Sequence, residues 1–403
     1  MQFKFGMLFR TLNTQCKMGF ALALLFCANK GYASVTCDIN PSGGIPTISL
    51  SGLPPISVTE GLPVGSELFQ GRLTTIGSNK SQGIADCYID GSKGNETFTV
   101  QIRNRVDGGV LSGLDKYTFK TNIPGIGARF YLYGKYITSE DTLGGGKPGM
   151  NTAYFNINGT DVVHPWGDGS DGNHLREMTF WLVKTGPVTP GVLNGVSLPK
   201  IEYRLYSAGT PINKLPARYM IIGFNGAVNI TSPTCTTPSS VSVDLGEYTV
   251  SQLTQSGSSP WKDASIRLTN CQKFTGYQPK GADSVFNQDK ISGEYDVKYT
   301  TIAPYANNVL GITLNGNQGN IDIKNGIVGI KTGSGEATGV AVQVASGTNG
   351  NVPVNLGAEY KQTLPKDGSS TITIPLSVRL KKNGSAIKAG NVTSQITYTI
   401  NYK

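Results

Sequence analysis

The chain has 403 residues, of which 15% are charged, and its formal net charge is +9. Its 52 glycines and 21 prolines, with no long stretch of helical periodicity, favour short strands joined by turns. Four basic residues and no acidic one lie in positions 1–33, so residues 34–403 carry a net charge of +5. This small excess, without a dense run of Lys and Arg, argues against nucleic acid as a partner.

Residues 1–33 have the pattern of a secretory signal peptide. Three basic residues (Lys4, Arg10 and Lys17) precede the apolar run MGFALALLFCA, and the segment ends at the small residue Ala33. The apolar run is too short to span a bilayer. We therefore expect cleavage near Ala33 and export of the rest of the chain.

Four of the six cysteines lie outside this signal. The even count suits an oxidising compartment. Four cysteines allow three pairings, and their separation into an early and a late pair favours Cys37 with Cys87 and Cys235 with Cys271. Each disulfide would then stabilise one half of the chain.

The fold class predicted for the exported chain is all-β, and its length suggests two domains. The polar, proline-bearing stretch NITSPTCTTPSS at 229–240 separates two strand-rich regions and is the best candidate linker. We place the domains at 34–231 and 232–403. Loops are more abundant in the first domain, and loops commonly carry binding sites.

The second domain shows the clearer strand periodicity. TITIPLSVRL at 371–380 alternates apolar and polar residues, which is the pattern of a half-buried strand. NVTSQITYTINYK at 391–403 repeats the pattern, with Val392, Ile396, Tyr398, Ile400 and Tyr402 on one face. An apolar strand at a sheet edge invites aggregation, so something should cover it.

From Cys235 onward the chain resembles a pilin domain of the bacterial chaperone-usher fimbriae. The resemblance covers about 170 residues, and the segments that carry it are Cys235, SVDLGEYTV (242–250), Trp261, IRLTNC (266–271), TGVAVQV (338–344), VNLG (354–357), IPLSVRLKKNG (374–384) and AGNVTSQITYTINYK (389–403).

This resemblance implies an immunoglobulin-like sandwich that lacks its last strand. A periplasmic chaperone, and then an adjacent fimbrial subunit assembled at the outer-membrane usher, would supply that strand. The apolar face of 392–402 would line the groove that meets the donor strand, and the carboxylate of Lys403 would be held by basic residues of the chaperone. In ordinary subunits of these fimbriae, an N-terminal extension before the pilin domain fills the groove of the adjacent subunit. Here some 200 residues take the place of that extension. The resemblance therefore implies a two-domain tip adhesin exported through the periplasm to the fimbrial tip on the cell surface.

In such adhesins the first domain is usually a lectin-like β-sandwich, so the resemblance implies two β-sandwich domains and a host glycan or glycoprotein as the receptor. The loop HPWGDGSDGN at 164–173 brings together an aromatic ring for stacking on a sugar and polar groups for its hydroxyls. The ligand-binding residues predicted on this basis are His164, Trp166, Asp168, Asp171 and Asn173. The alternative is a solvated hairpin tip with Trp166 packed into the core.

Other readings of the first domain remain open. It would be a metal-dependent adhesin if His164 and His174 bound zinc, although their spacing is no recognised zinc motif. It would be a spacer in a minor structural subunit if it bound nothing. No spacing selects a catalytic pair of carboxylates and no G-x-S-x-G motif occurs, so we expect neither an enzyme nor a cofactor.

Two aromatic stretches are assigned to the core rather than to a binding site. RFYLYGKY at 129–136 places Phe130, Leu132, Gly134 and Tyr136 on one face of a strand. Trp181 lies within the apolar run MTFWLV and is likewise expected to be buried.

Overall fold

A computed structural model of the chain describes residues 34–39, 47–75, 84–91, 94–132, 134–140, 142–143, 152–165, 178–291, 294–384 and 386–403. The predicted signal peptide at 1–33 lies outside these residues. No helix in the described part of the chain is long and apolar enough to cross a membrane.

The structure confirms the all-β prediction. The strands of the first half are β1 (Val35–Ile39), β2 (Thr47–Ser49), β3 (Ile56–Ser57), β4 (Glu67–Thr75), β5 (Ala85–Ile89), β6 (Asn95–Asp107), β7 (Phe119–Lys120), β8 (Ile126–Leu132), β9 (Lys135–Tyr136), β10 (Thr142–Leu143), β11 (Thr152–Asn158), β12 (Met178–Lys184), β13 (Gly191–Asn194), β14 (Lys200–Ser207), β15 (Ala217–Asn225) and β16 (Ala227–Thr231).

The second half begins with one short helix and continues in strands. Its elements are α1 (Val250–Ser256), β17 (Lys262–Asp263), β18 (Ile266–Leu268), β19 (Ser284–Ile291), β20 (Glu294–Thr301), β21 (Val309–Gly316), β22 (Asn320–Asp322), β23 (Ile327–Val328), β24 (Val340–Ser346), β25 (Val352–Pro353), β26 (Tyr360–Thr363), β27 (Ile372–Ile374), β28 (Leu376–Lys382) and β29 (Ile396–Tyr402).

Two hydrophobic cores divide the chain near the predicted linker. The first is built almost entirely from residues 35–230, and the second from residues 235–380 with partly buried side chains of 387–402 packed against it. Each core has its disulfide, Cys37–Cys87 between the paired strands β1 and β5, and Cys235–Cys271 at the start of the second half. Both predicted cysteine pairs are therefore present.

A hairpin from the second half joins the sheet of the first half. β19 runs parallel to β4, and β20 runs parallel to β2, so both strands lie inside the long sheet of the first sandwich. Phe286 of this hairpin is buried in the first core, where its ring lies 5.7 Å from that of Phe180. Gly71 makes room for both rings, since an added Cβ would lie 2.3 Å from Phe180 and 2.8 Å from Phe286. The boundary at 231/232 stays a prediction, and this hairpin crosses it.

The second sandwich has a break that the periodicity of 371–380 did not show. The segment is not one strand, because β27 ends at Ile374 and β28 begins at Leu376. β27 pairs with β18, whereas β28 pairs with β24 and β17. Pro375 between them has no N–H to donate to a ladder, so the chain changes partners there.

A buried polar hub joins the two halves. Asn308 is fully buried, and its amide donates to the carbonyl of Ser57 at 3.2 Å and accepts from the N–H of Gly276 at 3.1 Å. The hydroxyl of Ser57 lies 2.7 Å from that of Thr275 and 3.1 Å from that of Thr231. Buried polar groups that satisfy one another in this way hold two bodies in one register.

Candidate functional site

A groove runs along one side of the second sandwich, with a volume of about 1090 Å³. One wall is the extended segment 239–248, which contains no strand. The other wall is the segment 387–396. Its floor consists of aliphatic side chains of the second core, namely Leu253, Ile266, Leu314, Val340, Val342, Val344, Leu376, Val378 and Leu380.

The last strand leaves one of its edges open along this groove. Within the described part of the chain, β29 pairs only with β21. Val309 and Lys403 exchange both backbone hydrogen bonds at 2.7 and 2.8 Å, and the N–H of Asn317 donates to the carbonyl of Gln395 at 2.8 Å. Because bonded residues alternate in an antiparallel pair, the odd-numbered residues 395–403 bond β21. The even-numbered residues therefore direct their N–H and C=O groups away from β21.

The side chains of β29 alternate as the sequence predicted. Ile396, Tyr398, Ile400 and Tyr402 are partly buried against the second core, as is Val392 before the strand. The intervening residues 397, 399 and 401 are exposed. The strand is shorter than the periodic run, because residues 391–395 lie outside it. The role of these residues in meeting a donor strand stays a prediction.

The far end of the open edge is occupied by the first half of the chain. The N–H of Gly61 donates to the carbonyl of Tyr402 at 2.9 Å. The turn at Thr59–Gly61 is fixed by the buried ammonium of Lys184, which donates to the carbonyls of Thr59 at 2.9 Å and Glu60 at 2.6 Å. Burial lowers the pKa of Lys184. Among the described residues, the edge of β29 that faces away from β21 is therefore closed only at Tyr402.

The side chain of Lys403 is also held. Its ammonium lies 2.7 Å from one oxygen of Glu359 and 2.8 Å from the other. This hydrogen-bonded pair holds the pKa of Glu359 below its ordinary value. The ring of Tyr402 stacks on that of Phe274 with centroids 5.9 Å apart. The end of β29 is therefore positioned before any partner arrives.

The loop predicted to bind a sugar lies mostly outside the described residues. Trp166, Asp168, Asp171 and Asn173 all fall there, so their role stays a prediction. His164 is described, and its Nδ1 lies 2.7 Å from Oδ1 of Asp86 on β5. Among the described residues no group of three His, Cys, Asp or Glu side chains could hold a metal ion.

The assignment of Trp181 and Tyr136 to the core was wrong. Phe130 and Leu132 are buried as expected, but Trp181 is only half-buried and Tyr136 is 38% exposed. The sequence carried the signal, because in MTFWLV the residues Met178, Phe180 and Leu182 share one face and Trp181 lies on the other with Thr179. The position of a residue in the period of the strand, rather than the hydrophobicity of the run, decides which side chains are buried here.

Residues 222–403 match the model of the fimbrial protein family. This match confirms the resemblance of the second half to a fimbrial domain that was seen in the sequence. The comparison with curated proteins gave no match.

Three fimbrial proteins are among the solved structures to which the chain is similar. The CupB6 tip adhesin from Pseudomonas aeruginosa has 13% identity, with 91% of this chain and 94% of that chain covered and a TM-score of 0.30. The receptor binding domain of the adhesin MrkD1P of Klebsiella pneumoniae has 19% identity, with 50% and 98% covered and a TM-score of 0.26. The P pilus rod subunit PapA has 18% identity, with 42% and 99% covered and a TM-score of 0.27.

Proposed function

We propose, from the match of residues 222–403 to the fimbrial protein family, that the chain is a fimbrial tip adhesin. Its second half anchors the protein in the fimbria by accepting a donor strand, and its first half attaches the bacterium to a glycan on host cells. The observation that carries the proposal is the groove beside β29, where an open strand edge borders an aliphatic floor.

The groove has the chemistry that strand addition requires. Seven residues of β29 offer an edge of about 20 Å at roughly 3.3 Å per residue. The outward N–H and C=O groups of Ile396, Tyr398 and Ile400 would pair with the backbone of an added strand. Every second side chain of that strand would then cover the floor residues Leu314, Val342 and Leu376, which stabilises the sandwich by removing apolar surface from water.

Assembly follows from this need. A periplasmic chaperone would supply the strand first, with its basic residues holding the carboxylate of Lys403, and an adjacent subunit would replace it at the outer-membrane usher. A folded sandwich stands immediately before the fimbrial domain, where a donor extension would otherwise lie. The protein therefore takes the distal position on the fimbria, at the bacterial surface.

The strand-acceptance part is tested with two neighbouring substitutions on β29. The chain is incubated either with a synthetic peptide that carries valine at alternate positions or with a control peptide that has the same residues in scrambled order. The alternating peptide should raise the melting temperature of the unmodified chain, and Ile396→Asp should abolish the rise by placing a charge in the groove. Thr399→Asp is the matched control, since Thr399 is exposed on the other face of the same strand. Equal responses of the two variants would contradict strand acceptance.

The receptor part is tested on a glycan array with the full exported chain. We expect at least one host-type glycan to bind, with Trp166→Ala and Asp168→Ala reporting on the loop at 164–174. Absence of binding to every glycan would leave the first half as a spacer and contradict this part of the proposal alone.

A further inference from the structure

Four aromatic side chains form a cluster on one face of the first sandwich. The ring of Trp181 on β12 lies 5.9 Å from that of Tyr131 and 5.8 Å from that of Tyr136. Tyr131 and Tyr136 are 5.2 Å apart, and Tyr117 extends the cluster at 5.4 Å from Tyr136. We call these four residues the aromatic cluster.

The aromatic cluster lies on the outer face of the sheet. Phe130 and Phe180 are cross-strand partners that point into the core, so Tyr131 and Trp181, one position further along β8 and β12, point away from it. None of the four aromatic residues is packed against the first core. Their rings therefore contribute a partly exposed apolar surface rather than core volume.

The rings are fixed by their neighbours in the sheet. Trp181 is the cross-strand partner of Gln70, and its Nε1 donates to Oε1 of Gln70 at 2.8 Å. The amide of Gln70 in turn donates to Asp283 at 3.3 Å. Among the described residues the hydroxyls of Tyr117, Tyr131 and Tyr136 have no hydrogen-bond partner, so they are available to a ligand. A surface that is already ordered loses little entropy on binding.

The rim of the cluster is rich in donors. Arg129 donates to Thr118 at 2.8 Å and to Asp115 at 2.8 Å, and Arg72 donates to Asp283 at 2.6 Å. A guanidinium has five N–H donors, so both arginines keep donors in reserve. Lys116 adds an ammonium 5.5 Å from the centre of the Tyr117 ring and makes no ion pair in the described part of the chain.

The acceptors of the rim are already engaged. Asp283 accepts from Arg72 and Gln70. Asp115 accepts from the hydroxyl of Thr118, from the N–H of Tyr117 and from Arg129. Partial burial works against ionisation of Asp115, but these bonds outweigh it and hold its pKa below the ordinary value. The three cations of the rim therefore exceed its two carboxylates, Asp115 and Asp283, by one charge. The hydrogen-bonding groups of the rim that remain unused are mainly donors.

We propose that the aromatic cluster is a saccharide-binding surface whose preferred ligand carries a carboxylate or sulfate group. A pyranose face would stack on Trp181 and Tyr136, the free tyrosine hydroxyls would bond its hydroxyl groups, and Lys116 with the rim arginines would hold the acidic group. The inference rests on the proposed receptor-binding function and names a surface made of other residues than the loop at 164–174.

The experiment measures binding of the full exported chain to immobilised lactose, sialyllactose and sulfated lactose. We expect both acidic sugars to bind more tightly than lactose, with the two arms separating carboxylate from sulfate recognition. Tyr136→Ala and Trp181→Ala should each weaken binding about tenfold, the scale of one lost aromatic contact. Tyr154→Ala is the matched control, because Tyr154 is 76% exposed on β11 outside the cluster. Lys116→Gln should remove most of the preference for acidic sugars.

The outcomes separate this inference from the function on which it rests. If the unmodified chain binds no saccharide, the proposed receptor function fails together with the inference. If the unmodified chain binds saccharides, and the Tyr136→Ala and Trp181→Ala variants bind them as tightly as the unmodified chain does, the proposed function stands and the inference is overturned. Tyr136 is exposed, so its variant decides the test even if Trp181→Ala fails to fold, and Trp181→Phe should retain binding. Equal affinity for lactose and the acidic sugars, or cluster-dependent binding to a deglycosylated protein receptor, would also overturn it.

Discussion

The polar hub at Asn308 predicts how firmly the two halves of the chain are joined. Replacing Asn308 by alanine removes two buried hydrogen bonds and leaves the carbonyl of Ser57 and the N–H of Gly276 without these partners. A buried backbone group without a partner costs about 1–3 kcal/mol. Because a water molecule can enter the vacated space and restore part of the bonding, we expect a loss of about 2–4 kcal/mol in the free energy of unfolding.

Urea unfolding followed by tryptophan fluorescence and circular dichroism measures this loss. The midpoint of Asn308→Ala should fall while the slope stays that of the unmodified chain. The control is Asn383→Ala, since Asn383 is exposed and makes no side-chain hydrogen bond in the described part of the chain. A change below about 0.5 kcal/mol for Asn308→Ala, within the range of a surface substitution, would refute the reasoning that the two hydrogen bonds of this buried amide stabilise the fold.

Three further predictions concern the disulfide, the end of β29 and an ion pair. Replacing Cys235 and Cys271 by alanine opens a loop of 36 residues and should lower the free energy of unfolding, measured in urea, by about 4 kcal/mol. An unchanged free energy of unfolding would contradict this prediction. Gly61→Ala would place a Cβ 2.7 Å from the carbonyl of Tyr402 and should cost about 1 kcal/mol in thermal melts, whereas Gly94→Ala, with open space around it, should be neutral. Burial opposes ionisation of Glu202, but hydrogen bonds from Arg105 and Arg218 outweigh it and lower its pKa below 4.5. The ion pair of Glu202 therefore contributes to the free energy of unfolding above pH 4.5, and this contribution is lost as the pH falls through the lowered pKa. Glu202→Gln should flatten the dependence of the unfolding free energy on pH in this range. An unchanged dependence would contradict the role of Glu202.

Patterns that depend on neighbours in the sequence were predictable. The alternation in 391–403 identified which side chains of β29 face the second core, because successive side chains of a strand point to opposite faces. The order of the cysteines identified both disulfides, since each pair lies within one half. The motifs after Cys235 were sufficient to recognise the family that residues 222–403 match.

Features that depend on long-range pairing were not predictable. The alternation around Trp181 showed that it shares a face with Thr179, but only the pairing of β12 with β8 and β4 places it beside Tyr131, Tyr136 and Gln70. The hairpin of β19 and β20 has ordinary strand sequence, and nothing local in it identifies β4 or β2 as its neighbours. Register between distant strands is decided by the packing of the whole sheet.

The sequence by itself predicted the class of fold, the alternating faces of β29, the favoured pairing of the four cysteines and the family that residues 222–403 match. The tertiary structure decided which strand edge stays open, how Gly61 closes the end of that edge, and that four aromatic residues meet on an outer face. The physical reason is that alternation and covalent order are local properties of the chain. An open edge, a hydrogen bond between Gly61 and Tyr402 and a shared surface exist only after distant segments have been brought together.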